Sequence, residues 1–366
     1  MRSNQPWIFS ATVDLAFIIA PAIAVSLIAI LFNQQIQTLE EPLWLWLVLV
    51  VAIDAGHVYS TIFRTYFNRD ELRKRQILYV TIPLFSWIVG CLIYTMSALM
   101  FWRVAAYLAV FHFVRQQYGF MMIYARKEYN FSTYYKLIDK LAIYLSTLYP
   151  LIYWHCHNRS FNWFIEGDFI IAEIPSYINN IAATLYVLIL LIYIIKEIIT
   201  GYKLRHFNIA KNLLLFSTAL SWFVGIIAFD NDLIFTLTNV ISHGVAYYAL
   251  IWIFCHNQNK FKDYRNDYIK PLLAKLFEPR AIILYVAIIV MIAFLEEALW
   301  DKMLWHQNFR LFSFLPFDFN LSKQTLSWLV PLLALPQITH YILDAFIWRM
   351  NTKNTNWKEI LFYQQR

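Results

Sequence analysis

The residues in this chain that could do chemistry are four histidines, each set in an otherwise apolar segment. In VAIDAGHVYSTIFR, Asp54 and His57 stand at i,i+3, and Thr61 and Arg64 continue the same helical face. In HFVRQQYG, His112, Arg115, Gln116 and Gly119 recur at i, i+3, i+4 and i+7. TNVISHGVAYY places Asn239, His243 and Tyr247 at successive i+4 steps, and QITHYILDAF pairs His340 with Asp344 at i,i+4. Imidazole and carboxylate are ligands for iron, zinc, manganese or copper, and carboxylates commonly orient ligating histidines from behind. The expected metal set is therefore His57, His112, His243 and His340, with Asp54 and Asp344 either binding directly or orienting their neighbours. Arg115, Asn239 and Tyr247 are the residues expected to act on bound oxygen or substrate.

With no thiol in the set and apolar surroundings, iron(II) is the first choice of metal, ahead of copper or zinc. Two imidazoles from facing helices could instead ligate a haem. A third reading is a proton- or ion-coupled transporter, in which Asp and His form a relay and the arginines bind an anion. Each polar residue taken alone has a structural reading too, as a contact between helices. No HEXXH is present, nor are the paired-histidine boxes of membrane desaturases.

The elements that must position these residues follow from composition. The 366 residues are 60% hydrophobic, 19% aromatic and 14% charged, and the mean hydropathy is +0.50. Such a chain is expected to be an all-α, polytopic membrane protein. The net charge of +7 lies between apolar segments and forms no basic stripe, which argues against a nucleic-acid partner. Cys91, Cys156 and Cys255 are scattered and form neither a disulfide framework nor a thiolate metal site.

Hydropathy predicts ten spans near 11–32, 43–66, 77–99, 102–125, 137–154, 175–195, 209–229, 232–256, 281–300 and 324–348. Trp102-Arg103 and Asp230-Asn231-Asp232 read as the turns of tight hairpins. With the N-terminus inside, inner segments hold 23 Lys and Arg against 5 in outer ones, with Arg64 and Arg115 inside spans. That bias predicts both termini on the cytoplasmic side of a bacterial inner membrane and a single transmembrane domain over 1–366. The outer segments 155–174 and 301–323 are aromatic and read as interfacial.

The even-numbered spans then all run inward. At about 1.5 Å per residue His112 and His243 lie about 15–17 Å deep, His57 about 21 Å and His340 about 24 Å, so one layer can contain all four. Gly56, Gly119 and Gly244 beside the polar stripes would let these helices approach closely. Arg64 and Arg349 read as snorkelling toward the inner surface, and Arg115 as pairing with Asp54 or Asp344 or meeting the head group of an anionic substrate. His155, His157, His206, His256 and His306 fall at loops or span ends, and the pair Glu296-Glu297 reads as interfacial, with an inward-facing Glu296 as the alternative.

His57 in DAGHV, His112 in FHFVRQQYG and His243 in NVISHG give the chain a pattern that resembles the bacterial Brp/Blh-like family. Its members are membrane dioxygenases that cleave beta-carotene to retinal with iron held by histidines on separate helices. Where that family has a second histidine one turn before the third, this chain has Asn239. The resemblance covers about the first two thirds of the chain, leaves out His340 and Asp344, and implies iron and an isoprenoid or other long apolar substrate. The expected function is thus a metal-dependent oxidoreductase that cleaves or desaturates a lipophilic molecule.

Overall fold

Backbone in an apolar setting has to satisfy its N–H and C=O groups within its own segment. In the computed structural model it does so with helices alone, and no strand occurs among the described residues. Those are residues 5–39, 41–126, 128, 133–169, 174–205, 207–261, 270–308, 310–316, 321–348 and 357–362. The long helices are α1 (Ala11–Leu31), α2 (Leu43–Arg64), α3 (Gln76–Met96), α4 (Ala98–Tyr124), α5 (Thr133–Cys156), α6 (Ser176–Lys203), α7 (Ile209–Ala228), α8 (Asp232–Lys260), α9 (Pro279–Trp305), α10 (Lys323–Leu333) and α11 (Leu335–Ile347).

Eight of them, α1–α4 and α6–α9, are long and apolar enough to cross a membrane, and α10 with α11 qualify together as one span bent by 40°. The bend follows Pro331 and precedes Pro336, two residues that cannot donate to the helical ladder. The expected fifth span is also a helix, the 24-residue α5, with Lys136, Asp139 and Lys140 near its start.

Polar caps start several of these helices. Asn231 accepts from Ile234 N at 3.0 Å and opens α8 where the short acidic turn was expected. The other hairpin turns earlier than Trp102-Arg103. Ser97 is extended, its hydroxyl accepts from Met100 N at 3.2 Å, and both Trp102 and Arg103 lie within α4.

The chain divides into two compact units, residues 1–41 with 110–246 and residues 42–109 with 247–366. Helices α4 and α8 are continuous through the division. In the first unit α5 packs on α6 and α7, and α7 packs on α1. The loop after α5 was expected at the membrane interface, but it folds inward. Phe161 and Phe169 pack around Trp154, and buried Asp168 accepts from the backbone N–H groups of Trp163, Phe164 and Ile165. Burial pushes the Asp168 carboxyl above its ordinary range, against the pull of those hydrogen bonds.

Lys196, just past the expected end of the sixth span, and Lys211, near the start of the seventh, are both buried in this unit, and α6 continues well beyond 195. Lys211 contacts Glu197 at 2.6 Å and also Glu128, and Lys196 contacts Asp139 and Glu197. The cations are matched inside the fold because a lone buried charge would be expensive.

In the second unit α9 packs on α2, while α3 packs on α10 and α11. Arg64 does not snorkel. It is 1% exposed, lies 4.4 Å from the Phe254 ring and pairs with Glu71 at 3.1 Å. Its Nη2 donates to the Ile347 carbonyl at 3.4 Å, and Arg75, itself paired with Glu71, donates to the Phe346 carbonyl at 3.1 Å. Two guanidiniums thus cap the carbonyl end of α11, where the helix leaves acceptors unmet.

This clamp predicts that Arg64→Met lowers stability by about 3–5 kcal/mol, toward the lower end because Arg75 still faces Glu71. Adding Glu71→Leu should return part of the loss. Unfolding in detergent micelles measures both, and a loss below about 1 kcal/mol for the single variant would show that the clamp does not hold α11.

Candidate metal centre

Each expected histidine sits in the interior of a helix: His57 on α2, His112 on α4, His243 on α8 and His340 on α11. Their exposures are 1%, 3%, 1% and 2%. Within the first unit His112 and His243 approach to 3.2 Å, and within the second the His57 and His340 rings lie 5.1 Å apart, centroid to centroid. Two ligands about 2.1 Å from a shared ion stand about 3.0 Å apart at a right angle, about 3.4 Å at the tetrahedral angle and about 4.2 Å across a diameter. The His112–His243 separation of 3.2 Å falls in that range, and imidazole donors suit a borderline transition metal such as iron, copper or zinc.

Local backbone helps to aim two of the rings. Residues 47–55 and 241–245 form wide i→i+5 turns within α2 and α8; the first ends two residues before His57 and the second contains His243. Such turns rotate the following side chains around the helix and are frequent at functional sites. Gly56 follows the first because a Cβ there would meet the Tyr248 hydroxyl at 2.1 Å. Gly119 has open space around it, so close packing does not account for that glycine.

Hydrogen bonds set the protonation of the imidazoles. His57 Nδ1 lies 3.2 Å from the Ile53 carbonyl, which can only accept. Its proton is therefore on Nδ1, and Nε2 carries the lone pair. His340 is set by a longer chain. Tyr247 donates to Asp344 at 2.6 Å, Thr61 lies 3.0 Å from the Tyr247 hydroxyl, and His340 Nδ1 lies 2.7 Å from the Thr61 hydroxyl. Tyr247 spends its only proton on the carboxylate, so Thr61 donates to Tyr247 and accepts from Nδ1–H of His340. The chain then ends with the lone pair of His340 on Nε2.

His112 and His243 approach through their Nε2 atoms at 3.2 Å, a spacing at which they either share one proton or turn both lone pairs toward a common cation. Phe113 stacks on the His243 ring at 3.6 Å, Trp163 meets Phe113 edge-on, and Gln116 donates to the His243 carbonyl at 3.1 Å.

The carboxylates do not sit where helical spacing put them. Asp54 is 3.8 Å from His57 Nδ1 and Asp344 is 3.9 Å from His340 Nδ1, both too long for a hydrogen bond. A backbone carbonyl orients His57, and Asp344 reaches His340 only through Tyr247 and Thr61. Tyr247 is thus a positioning residue. Asn239 donates to the Phe235 carbonyl of its own helix at 2.9 Å, and Arg115 is exposed and donates to Tyr144 at 2.7 Å. Arg349 and His206 lie outside the described residues. Glu296 is buried rather than interfacial and accepts from Trp300 at 3.3 Å.

The chain matches no family model, and neither curated proteins nor solved structures offer a similar protein.

Thr61 links Tyr247 to His340 through its single hydroxyl. Thr61→Val is expected to release His340 from a single tautomer, seen as altered ring 15N shifts in histidine-labelled protein, while Thr61→Ser keeps it. Identical shifts in all three proteins would refute the direction assigned to the chain.

Proposed function

We propose that the four histidines hold one metal ion, iron(II) in first place, and that the protein is a membrane-embedded oxidoreductase acting on a lipophilic substrate. The observation that carries this reading is that the four buried imidazoles form two close pairs, His112 with His243 at 3.2 Å and His57 with His340 at 5.1 Å between ring centroids. His57 and His340 owe their ligand-ready tautomers to the Ile53 carbonyl and to the chain from Asp344. Bound iron would supply activation of dioxygen toward C–H or C=C bonds that acid–base chemistry cannot attack. The protein's own contribution is to present neutral imidazoles, to hold their ring orientation and to keep water out with Phe113 and Trp163.

The reaction class proposed is oxidative cleavage or desaturation of an isoprenoid or other lipid, which the resemblance to the Brp/Blh-like family also favours. The arrangement proposed is ten spans in a bacterial inner membrane with both termini cytoplasmic, on the strength of the Lys and Arg bias and of α5 as a tenth helix. Haem fits less well. Axial imidazoles on one haem stand about 4 Å apart with the porphyrin plane between them, whereas His112 and His243 are 3.2 Å apart. A proton-coupled transporter is the second reading, and the hydrogen-bonded line from His340 to Asp344 is what favours it.

Purified protein is expected to carry about one equivalent of metal per chain, and a His57→Ala, His112→Ala variant close to none. Metal analysis of both decides the matter. Equal, near-zero content would remove the metal reading, and substrate flux in proteoliposomes that depends on a proton gradient would put transport in its place. A Soret band would put haem there instead.

A further inference from the structure

Arg115 lies one turn beyond His112 on α4, but its side chain is exposed. Its guanidinium donates to the Tyr144 hydroxyl at 2.7 Å and lies 5.0 Å from the Tyr118 ring. On α5 the exposed Lys140 places its ammonium 5.9 Å from the ring of the same Tyr144. Among the described residues neither cation is paired with a carboxylate. The nearby Asp139 is buried on the other side of α5 against Lys196.

The surroundings of these cations are apolar. Phe111, one turn before Arg115, is 56% exposed, and Leu137, Leu141 and Leu148 on α5 are 50%, 41% and 39% exposed. Exposed apolar side chains on helices of membrane composition face hydrocarbon, where a guanidinium needs a counter-charge or a path to the interface. Depth supplies the path. The end of α4 and the start of α5 are joined by residues 125–132 and so lie at the same face; Arg115 is about 13 Å from that end of α4 and Lys140 about 10 Å from that start of α5. At about 40 Å, α4 is longer than the roughly 30 Å hydrocarbon core, so both side chains reach the level of lipid phosphates.

We propose that Arg115, Lys140 and Tyr144 bind the phosphate of an anionic phospholipid, whose acyl chains cover Phe111, Leu141 and Leu148. A guanidinium bonded to the Tyr144 phenol and an ammonium 5.9 Å from the same ring provide charge-assisted donors for phosphate oxygens, and the flanking leucines provide the apolar half of the same ligand. A zwitterionic lipid brings its own cation to this point and is the poorer fit. The site is independent of the metal reading, because it uses no residue of the histidine cluster.

The test is native mass spectrometry of the full chain in mild detergent with added phosphatidylglycerol or phosphatidylcholine. Wild type is expected to retain phosphatidylglycerol at least five-fold more than Arg115→Gln, Lys140→Gln, with phosphatidylcholine equal in both, and Arg115→Lys, Lys140→Arg should retain it like wild type. Should the double variant not fold, Lys140→Gln alone is compared by melting temperature, and its rise with phosphatidylglycerol should be smaller than that of wild type. Equal retention or an equal rise overturns the proposal. So does a dimer that the same substitutions dissociate, since a second copy would then be what covers these cations.

Discussion

Much of this structure depends on a requirement about protons. A neutral imidazole has one N–H and one lone pair, and buried imidazoles must be told by their neighbours which nitrogen carries which. For His57 the neighbour is the Ile53 carbonyl, four residues back on the same helix. For His340 it is a line of three groups on three helices, in which each hydroxyl has one proton to give and the carboxylate of Asp344 settles the direction for all. Because the line passes through α2, α8 and α11, the relative rotation of those helices is part of how His340 is oriented. The wide turn in α2 and the absence of a side chain at Gly56, where the Tyr248 hydroxyl passes, let the helices meet at that rotation.

The ends of the same helices are held by charge. Arg64 is on α2, seven residues beyond His57, and its guanidinium reaches the last carbonyls of α11, seven residues beyond His340. Position 64 therefore fixes the axial register of the helix that presents His340 against the one that presents His57. The pair of Arg64 with Glu71 and the stacking on Phe254 make the burial of that charge tolerable. In the first unit Lys196 and Lys211 perform a comparable task, tying α5, α6 and α7 together through Asp139, Glu197 and Glu128.

Helical periodicity made the four histidines legible, because an i,i+3 or i,i+4 stripe in an apolar run identifies a face, and a shared running direction identifies a depth. Their partners were not legible for the same reason. Spacing suggests that Asp54 serves His57 and Asp344 serves His340, whereas which atom meets a ring nitrogen depends on side chains from neighbouring helices. Thr61 and Tyr247 stood in the polar stripes, yet nothing along one helix says that they complete a line between two others. The two arginines exchanged their expected roles on this account. Arg64 sits at a helix end where snorkelling is the usual outcome, but Glu71 and the end of α11 await it inside. Arg115 sits nearer the histidines in sequence, but its position on α4 turns it outward to Tyr144.

Span boundaries show the complementary limit. Hydropathy ends a helix where apolar residues end, so it stopped α6 near 195 and left Lys196 outside the span. The physical end of a helix is set by caps and by whether its polar side chains find partners. Ser97 ends a hairpin five residues before the charged pair that hydropathy chose, because an extended residue with a hydroxyl can satisfy the next helix's free N–H groups and a tryptophan cannot. Lys196 and Lys211 stay inside helices because three carboxylates meet them there. Counting charge by loop averages over many residues, whereas the place of any single lysine is decided by the carboxylates the fold brings within reach.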